Sequence, residues 1–148
     1  MTTTPNLFGT PSYGQRTWEL LLGPNPQPRA LTDCERAVLK KLMGHPGERN
    51  AAPIADFAEK LNYTPRQIKE AVRCLIMEFD LPIAGSRQKP FGYYMATTSE
   101  EIQAASRPLE SEVFALMQRI RALRGPSHIA DFAKRLVEKV NGGSEDAA

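Results

Sequence analysis

Cysteine and histidine are nearly absent. Cys34 and Cys74 are the only cysteines. They lack CxxC spacing, so neither a disulfide framework nor a zinc site is indicated. His45 and His128 stand alone, 83 positions apart, which argues against metal binding and His-dependent catalysis. Long apolar runs are missing too. The longest is about four residues, whereas a membrane span needs about 20. No membrane partner is therefore expected. MTTTPNLFGT at the start has neither the basic nor the apolar region of a secretory signal. No charge sign dominates, with 19 Lys and Arg against 17 Asp and Glu. Electrostatics alone would bind a polyanion only weakly, so any cationic site must come from placement rather than from excess. What is left is the expectation of a reduced, cytoplasmic, soluble protein without cofactor or active site. Its 148 residues suffice for one ordinary domain or a small domain with extensions.

Residues 1–30 read as a flexible N-terminal arm and linker. Pro24, Pro26 and Pro28 favour an extended, polyproline-like path. Between the polar start and these prolines lies RTWELLLG, which holds Trp18, the only tryptophan. Two readings stay open here. The segment is a short arm on the domain, or it is a peptide for a protein partner, since Trp18, Leu21 and Leu22 have the spacing of a groove-binding helix.

The pattern changes at residue 31. Thr32 and Glu35 form a capping box. Leu31, Cys34, Val38, Leu39 and Leu42 then mark one helical face. A polar loop leads to IADFAEKL at 54–61, a two-turn amphipathic helix. After Asn62 and Tyr63, Thr64 and Gln67 make a second capping box, with Pro65 at the first helical position. Ile68, Ala71, Val72, Leu75, Ile76 and Phe79 line the inner face of the helix that follows, from Pro65 to about Phe79. LPIA at 81–84 and YYMA at 93–96 are strand candidates around the basic, glycine-bracketed loop GSRQKPFG. Two helices with a tight break suggest a helix-turn-helix, and the strand, basic loop and strand behind them are the parts of a wing. Residues 31–98 are thus expected to be a winged helix-turn-helix domain. The fold class is mainly α with a small β-hairpin.

Residues 99–148 read as C-terminal helices. Thr98 and Glu101 form a third capping box, and a long helix runs to about Leu123, interrupted or kinked at Pro108. From Leu109 the apolar steps alternate four and three, the heptad rhythm. Residues 102–123 either fold back on the domain or pair two chains into a homodimer. Ser127 is expected to cap a last helix with Ile129, Phe132, Ala133, Leu136, Val137 and Val140 on one face. IADFAEKL reappears as IADFAKRL at 129–136. The echo does not extend to the turn and second helix, so it reads as one amphipathic solution used twice rather than a domain repeat.

The stretches LTDCERAVLKKL, PIADFAEKLNYTPRQIKEAVRCL and LPIAGSRQKPFGYYMATTSEEI resemble the winged helix-turn-helix modules of bacterial and phage regulators. They are most similar to the N-terminal DNA-binding module of biotin-operon-type repressors and to small phage proteins with a wing followed by a long helix. The likeness covers residues 31–98 and extends loosely to 124. It implies double-stranded DNA as partner, with the second helix of the pair in the major groove and the wing beside a phosphate backbone. No biotin chemistry carries over, because no ligand-binding domain follows.

The residues lead to the same candidates. Arg66, Gln67, Lys69, Glu70 and Arg73 face outward near the start of the reading helix, where such helices meet base edges. Arg66 and Arg73 suit guanine, Gln67 suits adenine, and Lys69 suits a phosphate. Gln67 is also the capping residue, and the two roles compete. Thr64 and the free N–H groups of the helix start favour a phosphate as well. In the wing, Arg87 and Lys89 bring charge, and Ser86 and Gln88 bring hydrogen bonds. The plain alternative is a solvated helix face and a charged hairpin tip. Glu70, Glu78 and Asp80 oppose strong binding. Arg119, Arg121 and Arg124 add phosphate contacts or complement their helix C-terminus. One of Tyr93 and Tyr94 is expected in the core and one at the surface. Phe57, Phe79 and Phe91 are expected in the core rather than as a base-stacking platform, and Cys34 and Cys74 as buried thiols. Asp56 with Glu59, and Glu110 with Glu112, read as solvated carboxylates. A protein-interaction adaptor and a phage replication or packaging factor on the same fold are the alternatives to a transcriptional regulator.

Overall fold

Three threonines set where the chain turns helical. Thr32 Oγ1 accepts the Glu35 N–H at 3.2 Å while Glu35 Oε1 accepts the Thr32 N–H at 2.9 Å. Thr64 and Gln67 repeat the exchange at 3.1 and 2.9 Å, and Thr98 and Glu101 at 3.1 and 3.3 Å. Each box satisfies two backbone donors that a helix start leaves unpaired.

The structure is a computed structural model and describes residues 13–142. Its elements are α1 (Tyr13–Leu22), α2 (Asp33–Met43), α3 (Ile54–Leu61), α4 (Pro65–Met77), β1 (Ile83–Ser86), β2 (Gly92–Met95), α5 (Ser99–Arg124) and α6 (Pro126–Val140). The protein is mainly α-helical with one small antiparallel hairpin. Among the described residues no helix is long and apolar enough to cross a membrane, and no group of His, Cys, Asp and Glu is placed to hold a metal ion. The chain divides into two compact units between Ala105 and Ser106, whereas the composition puts the change at residue 98.

The first unit holds the core. Val38, Leu39 and Leu42 of α2, Phe57 of α3, Ile68 and Leu75 of α4, and Phe79 just beyond are fully buried. Their spacing puts one apolar stripe of each helix inward. Between α3 and α4 the chain turns in three residues. Asn62 takes the left-handed conformation (φ 62°) that asparagine tolerates better than most residues. β1 pairs with β2 in the register Ile83 with Met95 through Ser86 with Gly92. The other edge of β2 is covered locally. Ala52 exchanges two backbone hydrogen bonds with Tyr93, at 3.0 and 2.8 Å, and Met95 donates to the His45 carbonyl at 3.0 Å. Gly92 sits at φ 134° with its Cα against the Ala52 carbonyl, where any side chain would overlap that carbonyl. Only glycine meets both conditions.

Several expectations differ from what is found. Over residues 13–22 the arm is a helix, with Thr17 and Leu20 buried and Leu21 packed on the core. Arg16 donates to the Phe79 carbonyl, and Arg36 donates to the Leu21 carbonyl at 2.7 Å. Trp18 and Leu22 point away, so Leu21 does not share their face. The strands start two residues later, and one residue earlier, than the apolar runs suggest. Neither tyrosine faces solvent. Tyr94 is buried with Ala51 and Ala96, and Tyr93 lies edge-on to Phe57 at 6.1 Å. The segment from His45 to Ala52 covers the sheet edge, so both faces of β2 are sheltered. Burial raises the pKa of both phenols. Phe91 is 53% exposed, because it lies in the hairpin turn rather than in a strand. Cys34 is half-buried. Asp56 is not a free surface carboxylate. It joins α3 to α2 through Lys41 at 3.0 Å and also meets Lys60 at 3.4 Å.

In the second unit, Gly125 at φ 92° precedes Pro126, which takes the first position of α6. Ser127 therefore lies inside the helix instead of capping it. No residue of α5 or α6 is buried.

Candidate nucleic-acid interface

α4 has one buried and one open side. Ile68, Ala71, Val72 and Leu75 are inside, while Arg66, Gln67, Lys69, Glu70 and Arg73 are exposed. Arg66 and Arg73 are seven positions apart and Lys69 lies three beyond Arg66, so the three cations share a stripe at helical spacing. Glu70 lies within that stripe. Its carboxylate is 3.5 Å from Arg73 Nε, and Cys74 Sγ donates to it at 3.6 Å. That thiol is pushed up to about 11 by burial and by hydrogen bonds to Glu78 and Glu70, so it stays protonated and unreactive.

Lys69 is where α4 meets the hairpin. Together with Ile54, Ser86, Phe91 and Gly92 it lines an open cavity of about 350 Å³. Positive charge from the helix, a half-exposed aromatic ring and hairpin backbone thus share one concave surface. Arg87 and Lys89 are exposed at the hairpin turn. Among the described residues Arg66, Lys69, Arg87 and Lys89 form no ion pair. Their cations are open to an incoming anion at little cost.

The polar candidates are more engaged. Ser86 Oγ lies 3.0 Å from Glu48 Oε2 and 2.6 Å from the Gln88 carbonyl, so its single proton is shared between two acceptors. Gln88 Nε2 donates to Glu48 Oε1 at 3.5 Å. Glu48 therefore braces the hairpin from the loop before α3. Gln67 uses its carbonyl oxygen in the cap, which leaves its amide N–H groups for a ligand. Thr64 spends its hydroxyl on the Gln67 N–H.

Two residues here are not among the site candidates read from the sequence. Phe91 is flagged only by being aromatic between Pro90 and Gly92 in an otherwise polar turn. Arg29 lies in the proline-rich stretch, yet it donates to both Glu35 oxygens, at 2.8 and 2.9 Å, and to Glu78 at 3.0 Å. Its guanidinium also stacks 5.0 Å from the Phe79 ring centroid. It fixes the far end of α4 to the start of α2 and so holds the open face in position. Comparison with protein-family models, with curated proteins and with solved structures finds no match to this chain.

Proposed function

We propose that the chain binds duplex DNA as a winged helix-turn-helix protein, acting in the cytoplasm as a phage or bacterial transcriptional regulator. The exposed side of α4 enters the major groove, and the hairpin turn lies along a phosphate backbone. The observation that carries this reading is the cavity shared by Lys69 of α4 with Ser86 and Phe91 of the hairpin. It makes the helix and the hairpin one surface, so a single ligand can touch both. Arg66 and Arg73 are the candidates for base edges, because arginine forks fit guanine. The exposed Arg73–Glu70 pair opens at little cost. Lys69, Arg87 and Lys89 take phosphates, which position the protein without reading sequence. Ser86 and Gln88 serve chiefly to shape the turn through Glu48, and Thr64 to start the helix.

The test is fluorescence anisotropy with a random duplex at low salt. The intact chain binds, and Lys69→Glu weakens binding at least about tenfold, the effect of repelling a phosphate at the centre of the surface. Equal affinity of the two chains would overturn the reading. A second reading, a protein-interaction adaptor, is favoured by one observation: Trp18 and Leu22 are 58% and 69% exposed on a helix anchored by the buried Leu20. Absence of any duplex binding at low salt would favour it.

A further inference from the structure

α5 carries an apolar seam of which no residue is buried among the described residues. Leu109, Val113, Leu116, Ile120 and Leu123 follow one another at steps of four, three, four and three. That spacing keeps them on one line of a helix that packs against another helix. Leu109, Val113, Leu116 and Leu123 are all at least half exposed, and the second unit has no buried residue of its own among those described. Contiguous apolar surface of this kind marks an interaction site.

The charges beside the seam say what covers it. Its first part carries Glu110 and Glu112, and its last part carries Arg119, Arg121 and Arg124. Glu112 and Arg119 are both exposed. The two residues lie seven positions apart, on the same flank of the seam. We propose that the seam pairs with the same seam of a second copy, in antiparallel orientation. Val113 then packs on Leu116 of the second copy, and Leu109 on its Ile120. The acidic half of each helix lies along the basic half of the other, and Glu112 meets Arg119 of the second copy twice by symmetry. A parallel pair would instead set Arg119 beside Arg124 of the second copy, twice, and lay like charge along like charge. Such juxtapositions decide orientation in helix pairs of this type. The antiparallel pair is isologous, each copy using one patch, and so closes as a dimer.

Sedimentation equilibrium of the full chain without DNA tests this independently of the proposed function. The chain is expected to dimerise. Arg119→Glu is expected to weaken the dimer by roughly fivefold to twentyfold, since two exposed ion pairs become repulsions. Glu112→Arg should do the same, and the double variant Glu112→Arg with Arg119→Glu should return to within about twofold of the parent. Both changed positions are exposed, so circular dichroism of all three variants should match the parent. A monomer at every concentration would overturn the proposal. So would tighter association of Arg119→Glu, the signature of parallel pairing through Arg124.

Discussion

The carboxylate of Glu35 ties the start of α2 to the linker before it. It is buried, accepts two hydrogen bonds from Arg29, and accepts a third from the Thr32 N–H. The Arg29 hydrogen bonds, helped by those from Thr32 and opposed by burial, hold its pKa below the ordinary 4.5. Glu101 is also lowered, first by the N–H of Thr97. A depressed carboxylate stabilises the fold above its unfolded pKa and loses that contribution as the pH falls through the folded one. Stability to urea should therefore drop as the pH falls below 4.5. Glu35→Gln should cost about 1.5–3 kcal/mol near neutral pH, the usual range for hydrogen bonds to a charged group. It should also flatten the acid part of the curve. Urea midpoints of both chains from about pH 7 to about pH 3 check this, and superimposable pH profiles would count against the Arg29–Glu35 clamp.

Elements were legible where their signals are local. The boxes at Thr32, Thr64 and Thr98 need only residues three apart, and the inner faces of α2 and α4 need only periodicity. Packing that joins distant segments was not legible. Arg29 meets Glu78 across 49 positions, and Ser86 meets Glu48 across 38, and no local rule links them. For the same reason the packing of Thr17 and Leu20 and the exposure of Phe91 emerge only in three dimensions. At the candidate site, the outward cations of α4 followed from its periodicity. The bracing of the hairpin by Glu48 did not. Pro108 lies inside α5, just beyond the division between the two units. Its ring removes a donor for the Ala104 carbonyl and crowds it, which weakens α5 locally. Pro108→Ala removes a penalty of about 3 kcal/mol. Hydrogen exchange of the amides just after position 108 should slow by at least about tenfold, and unchanged protection would exclude a weak point at the proline.

At the scale of the whole molecule, a near-neutral chain must bind a polyanion by arrangement. Its total of 19 cations against 17 anions gives no general attraction, and Glu70 and Glu48 border the proposed surface. Affinity then depends on a few well-placed contacts and responds steeply to losing them. The most direct measurement is the slope of duplex affinity against salt concentration for the intact chain and for Arg87→Ala with Lys89→Ala. Each phosphate contact contributes a slope of about 0.9. The double variant should bind more weakly to every sequence, with a slope shallower by about 1.8. An unchanged slope, with the intact chain and the double variant binding equally, would contradict a hairpin laid along the phosphate backbone.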